Sequence, residues 1–515
     1  MRRSVIRLSF VVATVALGAT SAFASPSPTA PLSRIDALVF ARLKKLGIQP
    51  APASSDAVFV RRVYLDAIGT LPTADEVRVF LADPDPKKRD KLVDRLLERD
   101  EFADYWAMKW SDVLRVKSEF PINLWPNAVQ AYHHWIRASI KANTPYDRFA
   151  RELLTESGSN FRVPPVNFYR AVQSREPEAL ASAVALTFMG MRAEHWPRER
   201  LANMAAFFSR VGYKSTQEWK EEIVFFDPDK ASAPRAVFPD GTTIKLSPDQ
   251  DPRAVFADWL VSPKNPWFAK AVTNRVWSWL LGRGVIHEPD DIRPDNPASD
   301  PKLLAYLEQE LVASKYDLKH LFRLILTSRT YQLSSVATAN DPRGDANFAH
   351  YAQRPLEAEV LIDAIDQVTG TTEEYSSPIP EPFTFVPENR RTIALADGSI
   401  TNSFLKTFGR SPRDLGLESE RDNKPTAAER LALLNSGQIQ GKLERGPALQ
   451  ALIRASVDMP QLVTTLYLTI LSRPPAADEL QIALAYAQSV NGNRRMAALD
   501  IAWALINTPE FLYRH

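Results

Sequence analysis

A proline-rich loop over residues 284–297 concentrates carboxylates that could carry chemistry. Asp290, Asp291 and Asp295 lie within one stretch of six residues, and prolines stiffen the chain around them. Oxygens that converge outside a helix can ligate calcium or act as a general acid and base. These three aspartates are therefore candidate catalytic residues and candidate metal ligands, with calcium as the metal.

The same loop also has a purely structural interpretation. Its spacing matches no standard calcium-binding loop, and Arg293 offers an ion-pair partner within it. The carboxylates would then pair with arginines and cap the helix expected near Pro301. For glycan hydrolysis, by contrast, two carboxyl groups must face a pocket about 5 to 5.5 Å or about 6.5 to 9.5 Å apart.

Five further residues are candidate binding residues. Asn274 and Arg275 precede the acidic loop on a helix, His287 lies at its start, and Asp112 and Arg115 lie on a helix rich in aromatic residues. Buried arginine and aspartate more often form ion pairs that order helix packing. The sequence leaves both roles open.

The chain contains no cysteine. This excludes disulfides, thiolate zinc sites, a cysteine nucleophile and thioether-linked haem. The 7 histidines form no His-Glu-x-x-His pattern, and His133 and His134 are adjacent on one predicted helix, so their side chains diverge. The 11 tryptophans could stack on sugars, although core packing is the default for most of them.

Helical patterns must position these residues. Apolar residues recur every three or four positions from Phe102 to Val116, and Thr73 with Glu76 forms a capping box before another helix. A helix from Asn265 should end at Gly282. Further helices of the second half are predicted at about 301–313, 317–328, 354–369, 425–440, 459–471, 476–489 and 495–507.

One region departs from the helical pattern. Between Glu222 and Leu246, short runs of β-branched and aromatic residues flank Asp240-Gly241, which is a hairpin signal. We therefore predict a mainly α fold. Two helical domains, residues 33–225 and 253–515, would be joined by a small β-hairpin insert over residues 226–252.

A second irregular stretch runs from Ser376 to Thr401. It holds 4 prolines, and Asp397-Gly398 could turn another hairpin. Segments of this kind run over protein surfaces because their backbone groups need water. We expect the stretch to lie over the surface of the second half.

Two segments far apart in the chain resemble one another. Residues 64–81 align without a gap on residues 467–484, and 7 of the 18 pairs are identical, well above chance. A helix, a proline turn and a capped helix form a common arrangement whose preferred residues recur for physical reasons. The alternative is a true structural repeat, in which the two helix pairs are equivalent units.

The first 24 residues are typical of a secretory signal. Arg2, Arg3 and Arg7 precede an apolar run, and Ala22-Phe23-Ala24 forms the small-residue cleavage pattern. The run is shorter than the roughly 20 residues that span a bilayer, and no later segment is apolar enough. We expect a secreted or periplasmic protein that is cleaved after Ala24 and has no membrane span in its mature form.

The charge balance predicts no nucleic acid partner. The chain has 63 basic and 61 acidic residues, a net charge of +2. Without the three arginines of the predicted signal the balance is 60 to 61, or −1. Proteins that bind nucleic acid usually carry a strongly basic surface.

Several short motifs together resemble one family. In chain order they are Arg61 to Thr73, Trp106 to Arg115, Thr144 to Asp147, Asn274 to Trp277, Gly282 to Gly284, Ser328 to Gln332 and Phe408 to Arg410. They resemble the planctomycete-type secreted proteins that pair the domains of unknown function DUF1549 and DUF1553. The resemblance covers nearly the whole mature chain.

What the resemblance implies about function is limited, because the family's biochemical role is not established. Many relatives carry a Cys-x-x-Cys-His haem motif shortly before a stretch that ends in Ala-Ala-Phe-Phe. Here that ending is Ala205 to Phe208, and Met189 to His195 before it hold no cysteine. The resemblance thus implies a branch without covalent haem. Relatives are often encoded beside sulfatase-fold proteins, which implies such a partner and a role around sulfated polysaccharide.

Two functions from different classes follow. The first is a secreted, cofactor-free binding or assembly protein that works with a sulfatase-fold partner on extracellular polysaccharide. The alternative is a hydrolase that acts on glycan through the carboxylates of the acidic loop. Electron transfer, a third function, needs a redox centre that this chain cannot hold covalently. The sequence leaves open whether the protein is an enzyme.

Overall fold

The computed structural model describes residues 32–230, 235–421 and 424–515, and helices are its main element. The predicted mainly α fold is therefore confirmed. The predicted signal peptide, residues 1–24, lies outside the described residues. Within the described ranges, no helix combines the length and the apolar character that crossing a bilayer requires.

The α-helices are numbered in chain order. Those of the first half are α1 (Arg34–Leu46), α2 (Asp56–Ile68), α3 (Ala74–Ala82), α4 (Lys88–Leu97), α5 (Asp100–Val113), α6 (Pro126–Lys141), α7 (Tyr146–Thr155), α8 (Asn167–Arg170), α9 (Pro177–Met189) and α10 (Arg198–Ala205). Those of the second half are α11 (Pro252–Leu260), α12 (Phe268–Leu281), α13 (Pro301–Ala313), α14 (Leu318–Leu326), α15 (Ala358–Thr369), α16 (Ser403–Thr407), α17 (Ala427–Asn435), α18 (Gly437–Arg445), α19 (Pro447–Ala455), α20 (Met459–Leu471), α21 (Ala477–Ser489), α22 (Arg494–Ile506) and α23 (Pro509–Leu512).

Short strands form three small antiparallel sheets in the described part of the chain. The strands are β1 (Gly158–Ser159), β2 (Val211–Ser215), β3 (Glu222–Phe226), β4 (Arg235–Val237), β5 (Thr243–Lys245), β6 (Arg354–Pro355) and β7 (Tyr513–Arg514). One sheet has the order β1-β3-β2, while β4 pairs with β5 and β6 with β7. The hairpin predicted at Asp240-Gly241 is confirmed, because this turn joins β4 to β5 with Ala236 opposite Ile244.

Most predicted helices of the second half lie where the pattern places them. Helices α13 and α20 have the predicted bounds, and α12 ends at Gly282, whose φ of 79° is left-handed backbone that glycine adopts easily. One prediction is wrong, since residues 425–440 fall in two helices, α17 and α18, that meet at Ser436. The Ser436 hydroxyl accepts a hydrogen bond from the Ile439 amide at 3.4 Å and caps the second helix.

The aromatic helix α5 joins the two halves of the chain. Trp106 and Trp110 are buried, and both pack against Trp279 of α12, with ring centroids 5.4 and 5.5 Å apart. Buried apolar residues form one continuous cluster from Ile35 to Phe511. The two predicted helical regions therefore share a hydrophobic core, and their division into two domains stays a prediction.

The proline-rich stretch from Ser376 to Thr401 differs from its prediction. The Asp397 carboxylate accepts hydrogen bonds from the amides of Ser118 at 3.0 Å and Ser399 at 2.8 Å. No strand flanks the Asp397 turn within this fully described stretch, so the hairpin predicted there is wrong. The stretch contacts the second half, where the Thr392 amide donates to Asp363 at 2.7 Å, and through Asp397 it also contacts the first half.

The two similar segments share their local structure. A shift of 403 residues moves the first residues of α2 and α3 onto those of α20 and α21. Gly69 and Ser472, which end the first helix of each pair, have φ angles of 59° and 60°. Glu76 and Glu479 each accept the backbone N–H that precedes their helix at 2.7 Å. Helix starts, turn and capping therefore support a structural repeat.

Candidate functional site

Asp290, the first aspartate of the acidic loop, is buried against Arg275. Its side chain is 2% exposed, and one carboxylate oxygen lies 2.7 Å from the Arg275 guanidinium. The other oxygen accepts a hydrogen bond from the Glu418 amide at 2.6 Å. Both oxygens of this candidate catalytic residue thus have partners within the fold.

Asp291 and Asp295 share Arg293 as their partner. The Arg293 Nε lies 3.1 Å from Asp291 and 3.5 Å from Asp295. The internal ion pair considered for this loop is therefore present. The cap of α13 comes from another residue, Asp300, whose side chain accepts two amides of the first turn at 3.1 Å.

The acidic loop directs its three aspartates to two separate partners, Arg275 and Arg293. Among the described residues, no group of three or more histidine, aspartate or glutamate side chains is placed to hold a metal ion. His287 is partly exposed and lies 3.9 Å from Glu288, and burial together with Arg283 lowers its pKa. In the part of the chain that is described, the three aspartates of the acidic loop thus do not form the cluster of carboxylates that the sequence suggested for calcium.

Asn274 and Arg275 hold the acidic loop in place. The Asn274 side chain donates to the Ile286 carbonyl at 2.9 Å and accepts from the Ile286 amide at 2.8 Å. Arg275 donates to the Thr187 carbonyl at 2.8 Å, near the end of α9. Cations stabilise this end of a helix because its last carbonyls lack intrahelical partners. These two candidate binding residues therefore connect α9, α12 and the loop.

Arg115, another candidate binding residue, links the end of α5 to the segment after α8. It is 3% exposed, and its guanidinium donates to the Ala171 carbonyl at 2.6 Å. A second, longer hydrogen bond of 3.4 Å reaches the Val113 carbonyl. Its contacts are thus those of a buried arginine that satisfies backbone carbonyls.

Asp112 belongs to a set of buried charges drawn from both halves. Its carboxylate lies 2.9 Å from Arg413 and 2.6 Å from Arg421. Arg421 also lies 2.6 Å from Glu359, which is 3.2 Å from Arg410. We call these five residues the Asp112 cluster.

A second set of buried polar residues surrounds Asp66 of α2. One Asp66 oxygen lies 2.7 Å from Arg354 and 2.9 Å from Arg514. The other accepts hydrogen bonds from the Tyr331 and Tyr351 hydroxyls, both at 2.8 Å. We call these five residues the Asp66 cluster. Sequence reasoning missed it, because its tyrosines alone lie 265 and 285 residues from Asp66 along the chain.

Glu357 and Lys109 connect the two clusters. Glu357 lies 2.5 Å from Arg514 of the Asp66 cluster and 3.7 Å from Lys109. Lys109 precedes Asp112 by one turn of α5 and lies 3.4 Å from Glu418. We call the two clusters together with Glu357 and Lys109 the inter-half network.

The arginines of the Asp112 cluster hold its two carboxylates in the charged form. Burial alone would raise the pKa of Asp112, but Arg421 and Arg413 lower it below its ordinary value. Burial opposes Arg421 and Arg410 in the same way at Glu359, whose pKa is also lowered. Such carboxylates serve as ion-pair partners rather than as proton donors.

Helix α2, which carries the first motif of the family resemblance, makes several of the contacts between the halves. Arg61 donates to the Ile470 carbonyl at 2.8 Å, and Arg62 donates to the Tyr331 carbonyl at 2.7 Å. Asp66 lies on the same helix, and all three charged side chains are buried. Charged residues within an otherwise mostly apolar helix were the sequence signal that could have found this network.

A small apolar hollow lies between α5, α7 and α14. Aromatic residues form most of its wall, among them Trp106, Trp110 and Phe322. Its cavity volume of about 30 Å³ accommodates about one water molecule. The hollow is therefore too small for a sugar ring.

Two family models match the chain. The model described as "Protein of unknown function (DUF1549)" matches residues 34–208, and the model described as "Protein of unknown function (DUF1553)" matches residues 252–487. No curated protein and no solved structure matches the chain. The two matched ranges follow one another in the order that the motifs imply.

Proposed function

We propose, on the premise that this chain belongs to the planctomycete-type proteins that pair DUF1549 with DUF1553, that it is a secreted binding or assembly protein. The inter-half network is the observation that carries this proposal. The charged side chains of this network are bound to partners inside the fold. Sequence reasoning put forward some of them, such as Asp112, and missed others, such as Asp66. Their shared role is to hold the two halves in one arrangement.

A single arrangement of the halves suits a protein that binds or assembles others. Breaking a buried ion pair by removing one partner costs about 3–5 kcal/mol, so sliding or separation of the halves is strongly disfavoured. A surface that is already rigid loses less conformational freedom on binding, which favours affinity. The network therefore keeps the outer surface of the protein in one shape.

The proposed partners are a sulfatase-fold protein and extracellular polysaccharide, and the proposed location is outside the cytoplasm after cleavage at Ala24. The family resemblance supports the partners, and the basic and apolar leader supports export. Because the chain has no cysteine, it cannot carry thioether-linked haem. A role of relatives that depends on covalently attached haem therefore does not transfer to it.

The alternative function, glycan hydrolysis, would need a carboxylate pair that faces a pocket. Asp290 instead lies against Arg275, and Asp291 and Asp295 lie against Arg293. Glycan hydrolysis is therefore tested below only as an outcome that would contradict the proposed function.

The test uses the mature protein, starting at Ser25, and a sulfatase-fold protein from the same organism. We expect the mature protein to retain that partner in a pull-down and to release no reducing ends from sulfated polysaccharide. Asp291→Asn should behave like the wild type in both assays. The proposal would be overturned if the mature protein did not retain the sulfatase-fold partner. It would also be overturned if the wild type released reducing ends and Asp291→Asn did not.

A further inference from the structure

Three segments that are distant in sequence bring aromatic side chains together on the surface. Trp125 precedes α6, Trp219 lies in the turn between β2 and β3, and Phe383 lies in the proline-rich stretch 376–401. The Trp125 ring centroid lies 6.3 Å from that of Trp219 and 6.2 Å from that of Phe383. We call Trp125, Trp219 and Phe383 the aromatic platform.

Two of the three platform side chains are largely exposed, whereas Trp125 is partly buried. Trp219 is 66% exposed and Phe383 is 53% exposed. Phe120 and Phe385, on two of the same segments, are 75% and 73% exposed. Exposed apolar residues that occur singly need no explanation, whereas a contiguous patch marks a binding site.

The backbone holds the platform at an energetic cost. Trp125 has a φ of 73° and a ψ of 147°, and Lys220, next to Trp219, has a φ of 61°. Positive φ is rare for residues other than glycine and strains the backbone at such positions. Hydrogen bonds from the Trp125 amide to Ser118 at 3.2 Å and from the Glu221 amide to Glu218 at 3.1 Å keep the two loops in place.

Lys220 places a positive charge at the platform. Its ammonium nitrogen lies 5.1 Å from the ring centroid of Trp125 and 5.2 Å from that of Trp219. The neighbouring carboxylates have other partners, since Glu218 lies 3.3 Å from Arg162 and Glu222 lies 2.9 Å from Arg175. Among the described residues, no carboxylate lies within ion-pair distance of Lys220. The platform thus offers ring faces and a cation together.

We propose that the aromatic platform binds an anionic polysaccharide, with sugar rings on Trp125 and Trp219 and an acidic substituent on Lys220. The flat face of a sugar ring carries C–H groups that pack well on an indole ring, while its hydroxyl groups stay in water. An acidic substituent complements the ammonium group, whose charge no protein carboxylate offsets. This proposal deepens the proposed function and rests on it, because it assigns the polysaccharide to a place on the protein.

The test compares three polymers with one backbone, namely dextran, carboxymethyl dextran and dextran sulfate, by isothermal titration calorimetry on the mature chain. We expect a charged polymer to bind at least about tenfold more tightly than dextran, a free-energy difference of about 1.4 kcal/mol. The tighter of the two charged polymers identifies the substituent as carboxylate or sulfate. Added salt should weaken this preference because it screens exposed charges.

Two variants and one control locate the site. Trp219→Ala should weaken all the binding that the wild type shows, and Lys220→Gln should reduce the charged polymers to the affinity of dextran. Trp503→Ala removes a tryptophan that is 38% exposed on α22 and should leave every affinity unchanged. All the substituted side chains are exposed, so the variants should fold as the wild type does.

Several outcomes would overturn the platform. The first is that the wild type binds the three polymers equally or binds none of them. The second is that Trp219→Ala or Lys220→Gln keeps the wild-type affinity. The third is that the wild type prefers phosphatidylcholine vesicles to the polymers and that Trp219→Ala abolishes this preference. If the protein retained the sulfatase-fold partner but bound no polymer, only the platform proposal would be wrong. If the wild type cleaved the polymers and its affinity for them depended on Trp219 and Lys220, the proposed function would be wrong and the platform proposal would be supported.

Discussion

At the scale of single residues, the buried pair of Asp290 and Arg275 leads to a stability prediction. Asp290→Ala leaves the Arg275 guanidinium buried without its carboxylate and removes the acceptor of the Glu418 amide. Removing one partner of a buried ion pair costs about 3–5 kcal/mol. We expect the free energy of unfolding, measured by urea denaturation, to fall by about that amount.

The matched control for this prediction is Asp295→Ala in the same loop. The Asp295 side chain is 72% exposed, and exposed ion pairs contribute about 0–1 kcal/mol. Equal losses of stability in the two variants would contradict the structural role that we assign to Asp290.

His133 makes a second prediction, which concerns pH. The side chain is 3% exposed on α6, and burial, reinforced by Arg413 and His134, lowers its pKa to about 3. An unfolded histidine has a pKa of about 6.5. Between these two values only the unfolded chain takes up the proton, so this residue makes stability fall as the pH drops below about 6.5.

We therefore expect His133→Gln to lose less stability in acid than the wild type. Between pH 7 and pH 4.5 the wild type should lose about 2–3 kcal/mol more of its free energy of unfolding than the variant does. Burial also lowers the pKa of His134, the exposed neighbour, but by less, so His134→Gln should change the pH dependence less than His133→Gln does. Urea denaturation at several pH values measures the difference, and parallel curves for wild type and His133→Gln would refute it.

Sequence reasoning found the partner Arg293 within the acidic loop, but it found no partner from a distant segment. Arg275 and Asp290 are 15 residues apart on adjoining elements, so their pairing lay within reach of local reasoning. Asp112 and Arg413 are 301 residues apart, and no local pattern carries information about that contact. Carboxylates that look available for chemistry in a sequence can therefore be fully engaged in the fold.

At the scale of elements, the two similar helix pairs differ at their turns in a way that can be tested. A Cβ atom added at Gly69 would lie 2.5 Å from a ring carbon of Tyr105. Ser472, at the equivalent position, has room for its side chain, whose Oγ lies 3.4 Å from the Arg61 guanidinium. At the same backbone turn, a side chain would thus clash with Tyr105 in one copy, whereas the other copy accommodates a buried serine.

We expect Gly69→Ala to lower the free energy of unfolding by about 2 kcal/mol or more, because it adds both positive-φ strain and a steric clash. Ser472→Gly should change it by at most about 1 kcal/mol, because relief of positive φ offsets a lost hydrogen bond. Differential scanning calorimetry of both variants measures the contrast. A larger loss in Ser472→Gly would contradict the equivalence of the two turns.

Elements with strong local signals were predictable, and elements defined by distant pairing were not. Thr73 and Glu76 form the predicted capping box, and the Asp240-Gly241 turn forms the predicted hairpin. Strands β6 and β7 are two residues long each and pair across the chain, Arg354 with Arg514. Two residues carry no periodicity, so no pattern could have indicated this sheet.

At the scale of the whole molecule, the shared core and the inter-half network predict that both halves unfold together. Arg421→Leu removes the arginine that Asp112 and Glu359 share and leaves both carboxylates buried. We expect a loss of about 3–5 kcal/mol in the free energy of unfolding, with a single calorimetric transition at a lower Tm.

The control for this change is Arg343→Leu. Arg343 pairs with Asp341 at the surface, where its side chain is 57% exposed, so its loss should leave the free energy of unfolding nearly unchanged. Two separate transitions in the wild type would contradict cooperative unfolding of the halves.

The mainly α character of the molecule was predictable from periodicity, whereas the union of its halves was not. Apolar spacing identifies which face of a helix is buried but not which helix covers it. Trp106 shows this, because the sequence places it in a core and only the structure shows Trp279 of the second half against it.

The contacts of α2 with distant segments also determine when they can form during synthesis. Its Arg61 donates to carbonyls 409 and 450 residues further on, and its Arg62 to one 453 residues further on. At about 5–20 residues per second, a ribosome needs roughly 20–90 s to make those partners. Until then these arginines lack those carbonyls, although α4 and α5 of the first half already pack against the helix. The contacts of α2 that close the two halves therefore form only after most of the 515 residues have been made.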